Sequence, residues 1–405
     1  MRKKTVRNVM IGYVVYGILV WLYLFHFAPT GVPYEYVGTA ADPTTFMTRQ
    51  QLETSIQFAR TRHLIFFLSS PFYWLIIFRF IFGGMSEHFE EVVKTRISNH
   101  FLQVLVYYFM FASITFIALL PFRFFSYQLA RFHGTSLMTL PHWLRNRGID
   151  FVVDFLLMLL LIQVVMFLIR AFKKKWWLVT WVLFIPFAFF FMLIQPILID
   201  PLYRDFQPLQ NAGLEEKILE MAEEAGVAAD RVFEVVMSGQ TSTINGYVTG
   251  VGPTARIVLW DTALEQLSEN EILFLMAHEI AHYVNRDIYL GIGVALVVAL
   301  GALYVVDKVL NKVDKDSFAR IPVAIVTVSI LLFLLSPATN LISRRLEARA
   351  DAFALEMTGD PEAGISLFQT FARTSLNEVH PPVVVRVIRS THPSLFERMV
   401  VLIDE

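Results

Sequence analysis

Apolar residues run along this chain in long blocks. Seven stretches, at about 9–28, 64–83, 101–120, 151–169, 176–197, 288–306 and 321–337, are apolar on all sides. Each is close to the roughly 20 residues that a helix needs to cross the hydrocarbon core of a bilayer. A soluble protein would have to bury all of these helices in one core, and that reading is set aside. The first stretch follows Arg2, Lys3, Lys4 and Arg7, as a signal peptide would. Its apolar part is too long for such a leader and no small-residue cleavage site follows, so it is expected to remain as a membrane helix.

Two regions break the blocks, 198–287 and 338–405, and both are long and mixed enough to fold outside the membrane. In the first, Leu214–Glu224 has the spacing of an amphipathic helix, with Leu214, Ile218, Leu219, Met221 and Ala222 on one side and Gly226 as its stop. Three β-prone runs follow, Val232–Met237, Tyr247–Val251 and Arg256–Trp260, separated by Gly239, Gly250, Gly252 and Pro253. Ser268 and Glu271 then form a capping box that opens a helix running to at least Tyr283. The chain therefore divides into 1–197 with about five membrane helices, 198–287 as the first part of a catalytic domain, 288–337 with two membrane helices, and 338–405 as the second part. Because an even number of spans separates the two polar regions, they meet on one membrane face. Gly293, Ala295, Ala299 and Gly301 in the sixth span are read as helix-packing residues.

Basic residues set the expected orientation. One face collects the N-terminal four, Lys94, Arg96, Arg170, Lys173, Lys174, Lys175, Lys308, Lys312, Lys315 and Arg320. The other has Arg49, Arg60, Arg62, Arg123, Arg131, Arg145 and Arg147. The excess makes the first face cytoplasmic and places the two polar regions outside the cytoplasm, in a multi-pass protein of the cell membrane. Net charge is −1, so no bulk field points to a nucleic-acid partner. With no cysteine, disulfides, thiolate ligands and a thiol nucleophile are excluded, and any metal must be held by His and carboxylates.

The capped helix carries H-E-I-A-H at 278–282. Residues four apart share a helix face, so His278 and His282 can aim two imidazoles at one zinc ion. Glu279 lies one residue round and can act as general base on the attacking water. Catalytic zinc takes a third protein ligand. The pattern with a histidine six residues after His282 and a glycine three after it fails, since Ile288 and Asn285 stand there. Glu347 in N-L-I-S-R-R-L-E-A-R-A-D (340–351) is the best remaining donor, with Asp351 four residues on to orient a ligand histidine. On spacing alone the same segment also reads as an ordinary charged helix, in which Arg344, Arg345 and Arg349 pair with Glu347 and Asp351.

H-E-I-A-H with a downstream S-R-R-x-E-x-x-A-D resembles the membrane-embedded gluzincin proteases, and within them the type-1 CAAX prenyl endopeptidases. Q-P-I-L-I-D-P-L-Y-R-D-F-Q-P-L (195–209), N-G-Y-V-T-G (245–250) and R-I-V-L-W-D-T-A-L (256–264) are similar to family segments in the same order. The resemblance implies a mainly α polytopic fold, with about seven membrane helices around an internal chamber and a gluzincin-type domain of helices and a small β-sheet. It implies one zinc ion held by His278, His282 and Glu347, with Asp351 in support. It further implies that His392 helps at the oxyanion, that Arg398 assists in binding substrate, and that Asn245 belongs to an edge strand receiving substrate backbone. A hairpin turn at Asn245–Gly246 is the other reading of that pair. The activity implied is that of a metalloendopeptidase acting on peptide or protein substrates, lipid-modified ones included, among membrane lipids. The chain departs from the family in carrying Asp287 five residues after His282 in place of a basic residue, and Asn-Gly at 245–246 in place of Asn-Ala.

Two rivals are set against this. A site-2-type intramembrane protease would have its motif inside a span and an Asp-Gly pair downstream, and this chain has no Asp-Gly. The other rival is a transporter, or an inactive relative serving as a scaffold, with an accidental motif.

Overall fold

The computed structural model describes residues 3–194, 205–250 and 256–404. Most of the Q-P-I-L-I-D-P-L-Y-R-D-F-Q-P-L segment, and residues 251–255 with Gly252 and Pro253, lie outside them. The membrane half is built from α1 (Lys3–Leu22), α3 (Arg49–Phe82), α5 (His100–Phe132), α6 (Leu140–Phe172), α7 (Trp176–Ile194), α11 (Asp287–Leu310) and α12 (Arg320–Thr358). The short helices α2 (Pro43–Phe46) and α4 (Met85–Arg96) sit at its two ends. Among the described residues, six helices are long and apolar enough to cross a bilayer, and the α7 region is a shorter apolar helix at Trp176–Phe190.

Several helices run well past the bilayer. α12 has 39 residues, about 58 Å at 1.5 Å per residue, against a hydrocarbon core of about 30 Å. The expected span at 321–337 and the first part of the polar region after it, to Thr358, are therefore one continuous helix through Pro337, capped by Gly359 with φ +60°. Pro337 does not stop the helix, because neighbouring elements hold its walls. This extension lifts Glu347 and Asp351 out of the membrane half on a rigid rod.

The basic loops gather at one end. Lys94 donates to the carbonyl of Asp316, Glu90 accepts from Ser317, Arg170 meets His100, and Trp176 Nε1 donates to Asp307 at 2.8 Å. At the other end lies the second half of the molecule. It comprises α8 (Ala212–Glu224), α9 (Asp261–Gln266), α10 (Glu269–Val284), α13 (Pro361–Ser375), α14 (Val383–Ile388) and α15 (Leu395–Asp404), with four strands. Asn211 caps α8, and Gly226 follows its end with φ +74°.

Strands β1 (Phe206–Pro208), β2 (Val232–Val235), β3 (Gly246–Thr249) and β4 (Arg256–Trp260) form one sheet in the order β1-β2-β4-β3. β2 and β4 are parallel, and the two outer pairings are antiparallel. Alternation in β4 sends Ile257 and Leu259 into the main core and Val258 and Trp260 to the opposite face. The three β-prone runs are all strands, and β1 is the one missed: a three-residue strand containing proline carries no periodic signal. The main core centres on Phe274, Met276, Ala277 and Ile280 of α10, packed on Ile218, Leu259 and Phe368. Ala41 and Met47 from the α1–α3 connection are buried in the same core.

Candidate active site

Helix α10 begins as the sequence predicts. The Ser268 side chain accepts from the Glu271 amide, and the Glu271 carboxylate accepts from the Ser268 amide at 2.7 Å. Its apolar face packs on α12, α13 and β3. That burial fixes the helix rotation and turns His278 and His282 toward α12. There His278 Nε2 lies 3.2 Å from Glu347 Oε2, His282 Nε2 lies 3.6 Å from Glu347 Oε1, and the two Nε2 atoms are 3.2 Å apart. One ligand atom from each of the three residues lies within 4.8 Å of the others.

These residues fit a metal ion on two counts. Glu347 is only 8% exposed, and its Oε2 faces the Nε2 atoms of His278 and His392, each 3.2 Å away, so a buried carboxylate and two imidazole nitrogens converge on one point, an arrangement that is costly unless a proton or a cation completes it. Burial disfavours an imidazolium at His278, but hydrogen bonds to Asp351 and Glu347 outweigh it and hold the group up to about 9. The site thus draws positive charge to the point where the three donors converge. Two imidazoles and a carboxylate are the donor set of catalytic zinc.

Each histidine is held from behind. His278 Nδ1 donates to Asp351 Oδ1 at 2.9 Å, and His282 Nδ1 donates to Asp287 Oδ2 at 2.8 Å. Both bonds fix the tautomer that leaves Nε2 free. Asp287 is in turn paired with Arg349. Its position follows from a break in the chain: α10 stops at Val284, and Arg286 takes a left-handed φ of +57° before α11 starts at Asp287. Had the helix continued, a residue five further on would have pointed about 140° away from His282.

The 340–351 segment is not a face of exposed ion pairs. Glu347 and Asp351 are buried, and Arg344 Nη1 donates to the carbonyls of Arg386 at 2.8 Å and Ser390 at 2.9 Å. Asn340 donates to the carbonyls of Val387 and Ile388. α12 therefore carries two site residues and also anchors the loop bearing His392. His392 Nε2 stands 3.2 Å from Glu347 Oε2, with its side chain 56% exposed. Burial lowers its pKa and the Glu347 carboxylate opposes that shift.

Arg398 is buried. It clamps Asp351 through Nε at 2.8 Å and Nη2 at 2.5 Å, with its guanidinium carbon 4.1 Å from the Phe368 ring centre. Glu279 is half-buried beside the two histidines. Burial raises its carboxyl above the usual range, while the imidazoles of His278 and His282 pull it back.

Asn245 immediately precedes β3, and its carbonyl accepts from the Trp260 amide at 3.0 Å. Asn245–Gly246 is thus the entry to a strand and makes no hairpin turn. β3 is an outer strand, packed against α10. A Cβ at Gly246 would lie 3.2 Å from Leu259 and 3.3 Å from Met276, which shows how closely strand and catalytic helix approach.

Sequence reasoning named His278, Glu279, His282, Glu347 and Asp351, and the structure brings them together. It missed Asp287 and Arg349 as a supporting pair, and Asn340 and Arg344 as anchors. The departure at Asp287 was the one visible signal.

Comparison with known proteins agrees with this geometry. Residues 208–405 match the model of peptidase family M48, and residues 39–205 match that of the CAAX prenyl protease N-terminal region, five membrane helices. The chain is 37% identical to the uncharacterized metalloprotease YhfN of Bacillus subtilis (strain 168), over 98% of this chain and 96% of that protein. It is 29% identical to a CAAX prenyl protease 1 homolog of rice, Oryza sativa subsp. japonica, over 70% of this chain and 69% of that one. The crystal structure of S. mikatae Ste24p superposes with a TM-score of 0.81 at 20% identity, covering 98% of this chain and 97% of that one, so the fold is shared.

Proposed function

From the premise that this chain belongs to peptidase family M48 and is a multi-pass membrane metalloendopeptidase like the CAAX prenyl proteases, we propose that His278, His282 and Glu347 hold one zinc ion and Glu279 is the general base. The observation that carries this assignment is the convergence of the three donors at the buried Glu347 carboxylate, with one ligand atom from each within 4.8 Å of the others. When bound, zinc supplies a Lewis acid that polarises the scissile carbonyl and acidifies the attacking water. Glu279, raised by burial, takes a proton from that water and delivers it to the leaving amine. His392, exposed toward the interior beside Glu347, donates to the developing oxyanion. Arg398 acts through Asp351, since two of its N–H groups are spent there. β3 and Asn245 receive the substrate backbone by strand addition at the outer side of the sheet. Nothing supports the transporter or scaffold reading.

The substrate is a peptide or membrane-associated protein met on the extracytoplasmic side of the cell membrane. Support for this side comes from where the arginines point. Arg60 is buried on Glu378, and Arg62, Arg123 and Arg147 line interior cavities, so they leave the count of loop charges. The excess of basic residues at the opposite end is then larger than the sequence count suggests.

Glu279→Gln, expressed in cells with an affinity tag, is expected to retain zinc and trap uncut chains, whose identity gives the substrate and cut site. Normal cleavage by this variant would sink the general-base assignment. A reporter fused at residue 405 is expected to be active only when the C-terminus lies outside the cytoplasm.

A further inference from the structure

At the end of the membrane half that gathers the basic loops, one corner holds charges that the fold leaves unanswered. There α6 ends at Phe172, α7 begins at Trp176, and α11 ends at Leu310. Trp176 locks the three together: it is buried with Leu168, Val306 and Leu310, and its Nε1 donates to Asp307 at 2.8 Å. The turn between α6 and α7 is Lys173-Lys174-Lys175, with all three lysines exposed. α11 adds Lys308, and the turn after it adds Lys312, both also exposed. Lys308 is held over Tyr304, its Nζ 4.8 Å from the ring centre, and Tyr304 meets Trp177 edge-on at 5.5 Å. The lysines of the turn and those of α11 therefore flank one aromatic seam.

Among the described residues no carboxylate lies within salt-bridge distance of Lys173, Lys174, Lys175 or Lys312. The acid beside them, Asp307, is buried, accepts from Trp176 and Asn311, and lies 3.6 Å from Lys308. Asp316 and Ser317, further along the same loop, are drawn to Lys94 and Glu90 of α4. Depth narrows the choice of counter-ion. The apolar stretches of these helices stop at about 169, 176 and 306, so at 1.5 Å per residue the five lysines stand about 2–9 Å outside the hydrocarbon core. The headgroup layer on each side of a bilayer is about 5–8 Å thick. The ammonium groups are thus level with lipid phosphates. Immediately inward, Phe172, Leu178, Val182 and Tyr304 are exposed, an apolar surface that suits an acyl chain.

We propose that the α6–α7 turn and the end of α11 form a binding site for an anionic phospholipid, with its phosphate between the turn lysines and Lys308 and its acyl chains along Leu178 and Val182. Basic pockets between membrane helices hold such headgroups, and Trp177 and Tyr304 mark the boundary at which they sit. Lysine suits the task because a phosphate needs only point charges here, with no fixed fork. A soluble phosphate has the same chemistry, but the apolar surface directly beneath the lysines favours a lipid. The site is set by depth, so it holds for either orientation of the chain in the membrane. It is also independent of the protease reading.

The test titrates the full-length protein in detergent with phosphatidylglycerol or with phosphatidylcholine of the same acyl chains, and counts bound lipid by native mass spectrometry. Phosphatidylglycerol is expected to bind about tenfold more tightly. Lys174→Gln combined with Lys308→Gln should remove that preference. Arg96→Gln combined with Lys315→Gln takes the same charge from the same end of the protein, and should weaken phosphatidylglycerol binding less than about twofold. Equal affinity of the unaltered protein for the two lipids overturns the proposal. An equal loss in the two double variants also overturns it, because the attraction would then belong to the diffuse charge of the whole face. Displacement of phosphatidylglycerol by an equal concentration of inorganic phosphate overturns the lipid assignment, since the acyl chains would then contribute nothing.

Discussion

Asp287 accepts the Nδ1 hydrogen of His282 at 2.8 Å, repeating for the second imidazole what Asp351 does for His278 at 2.9 Å. The two supports are reached differently. Asp351 comes from α12, across the site, while Asp287 is brought back by a sharp break right after the catalytic helix. Asp287→Asn is expected to weaken zinc binding by about 10- to 100-fold, as loss of an outer carboxylate on a metal ligand does. Arg349 is half-exposed at its side chain, so Arg349→Gln should have a smaller effect of the same sign. Competition for zinc against a chelator of known affinity measures both. Unchanged affinity in Asp287→Asn would show that His282 needs no partner.

Arg398 decides between two roles. If it acts on the substrate, replacing it should lower kcat and leave stability alone. The structure instead buries it on Asp351, so Arg398→Gln leaves a buried carboxylate without its cation. Breaking such a pair costs about 3–5 kcal/mol. The expected result is a clear fall in Tm together with weaker zinc binding, because Asp351 no longer holds its orientation toward His278. A variant with unchanged Tm and a lower kcat alone would restore the direct role in substrate binding.

How much of this was legible in the sequence depends on how local each signal is. The H-E-I-A-H helix announced itself twice, through the ligand spacing of His278 and His282 and through the Ser268–Glu271 cap at its start. Glu347 and Asp351 were legible as a four-residue pair, but spacing could not separate ligands from surface ion pairs. That distinction is a matter of burial, set by the packing of α12 on α10. Asp287 escaped because its role depends on the left-handed turn at Arg286, which helical periodicity does not predict for an arginine. The span at 321–337 was read from hydropathy, yet the helix runs on to Thr358: the bilayer limits the apolar stretch and leaves the helix free to go further.

Glu397 ties pH to stability. Its carboxylate accepts from the Ser394 amide at 2.8 Å and pairs with Arg386 at 2.6 Å. Burial would raise its pKa, but these bonds more than offset that and lower it. A group depressed in the folded state contributes stability above its unfolded pKa, and the contribution is lost as pH falls through the folded value. Glu397→Gln should therefore lower Tm at pH 7, and its gap to wild type should narrow as pH drops below about 4.5. Melting curves of detergent-purified protein from pH 7 to about pH 3 check this. A gap that widens toward acid would mean that the Glu397 carboxylate is not the stabilising form.

Gly364 marks how closely α13 packs on the catalytic helix. A Cβ placed there would lie 2.6 Å from Phe274 and 2.6 Å from Leu402. Phe274 is fully buried four residues before His278, in the middle of the main core. Its ring cannot bend away as a flexible chain end would, so the helices must separate. Overpacking of this kind costs about 1–3 kcal/mol. Gly364→Ala is expected to lower Tm by several degrees and to reduce activity with zinc still bound, because α10 carries its own ligands with it when it shifts. At Gly246 the approach to Leu259 and Met276 is looser, 3.2 and 3.3 Å, and those neighbours are flexible side-chain ends. Gly246→Ala should therefore change Tm far less, and measuring the two alanine variants side by side tests the argument. Equal losses would show that side-chain flexibility does not set the tolerance around α10.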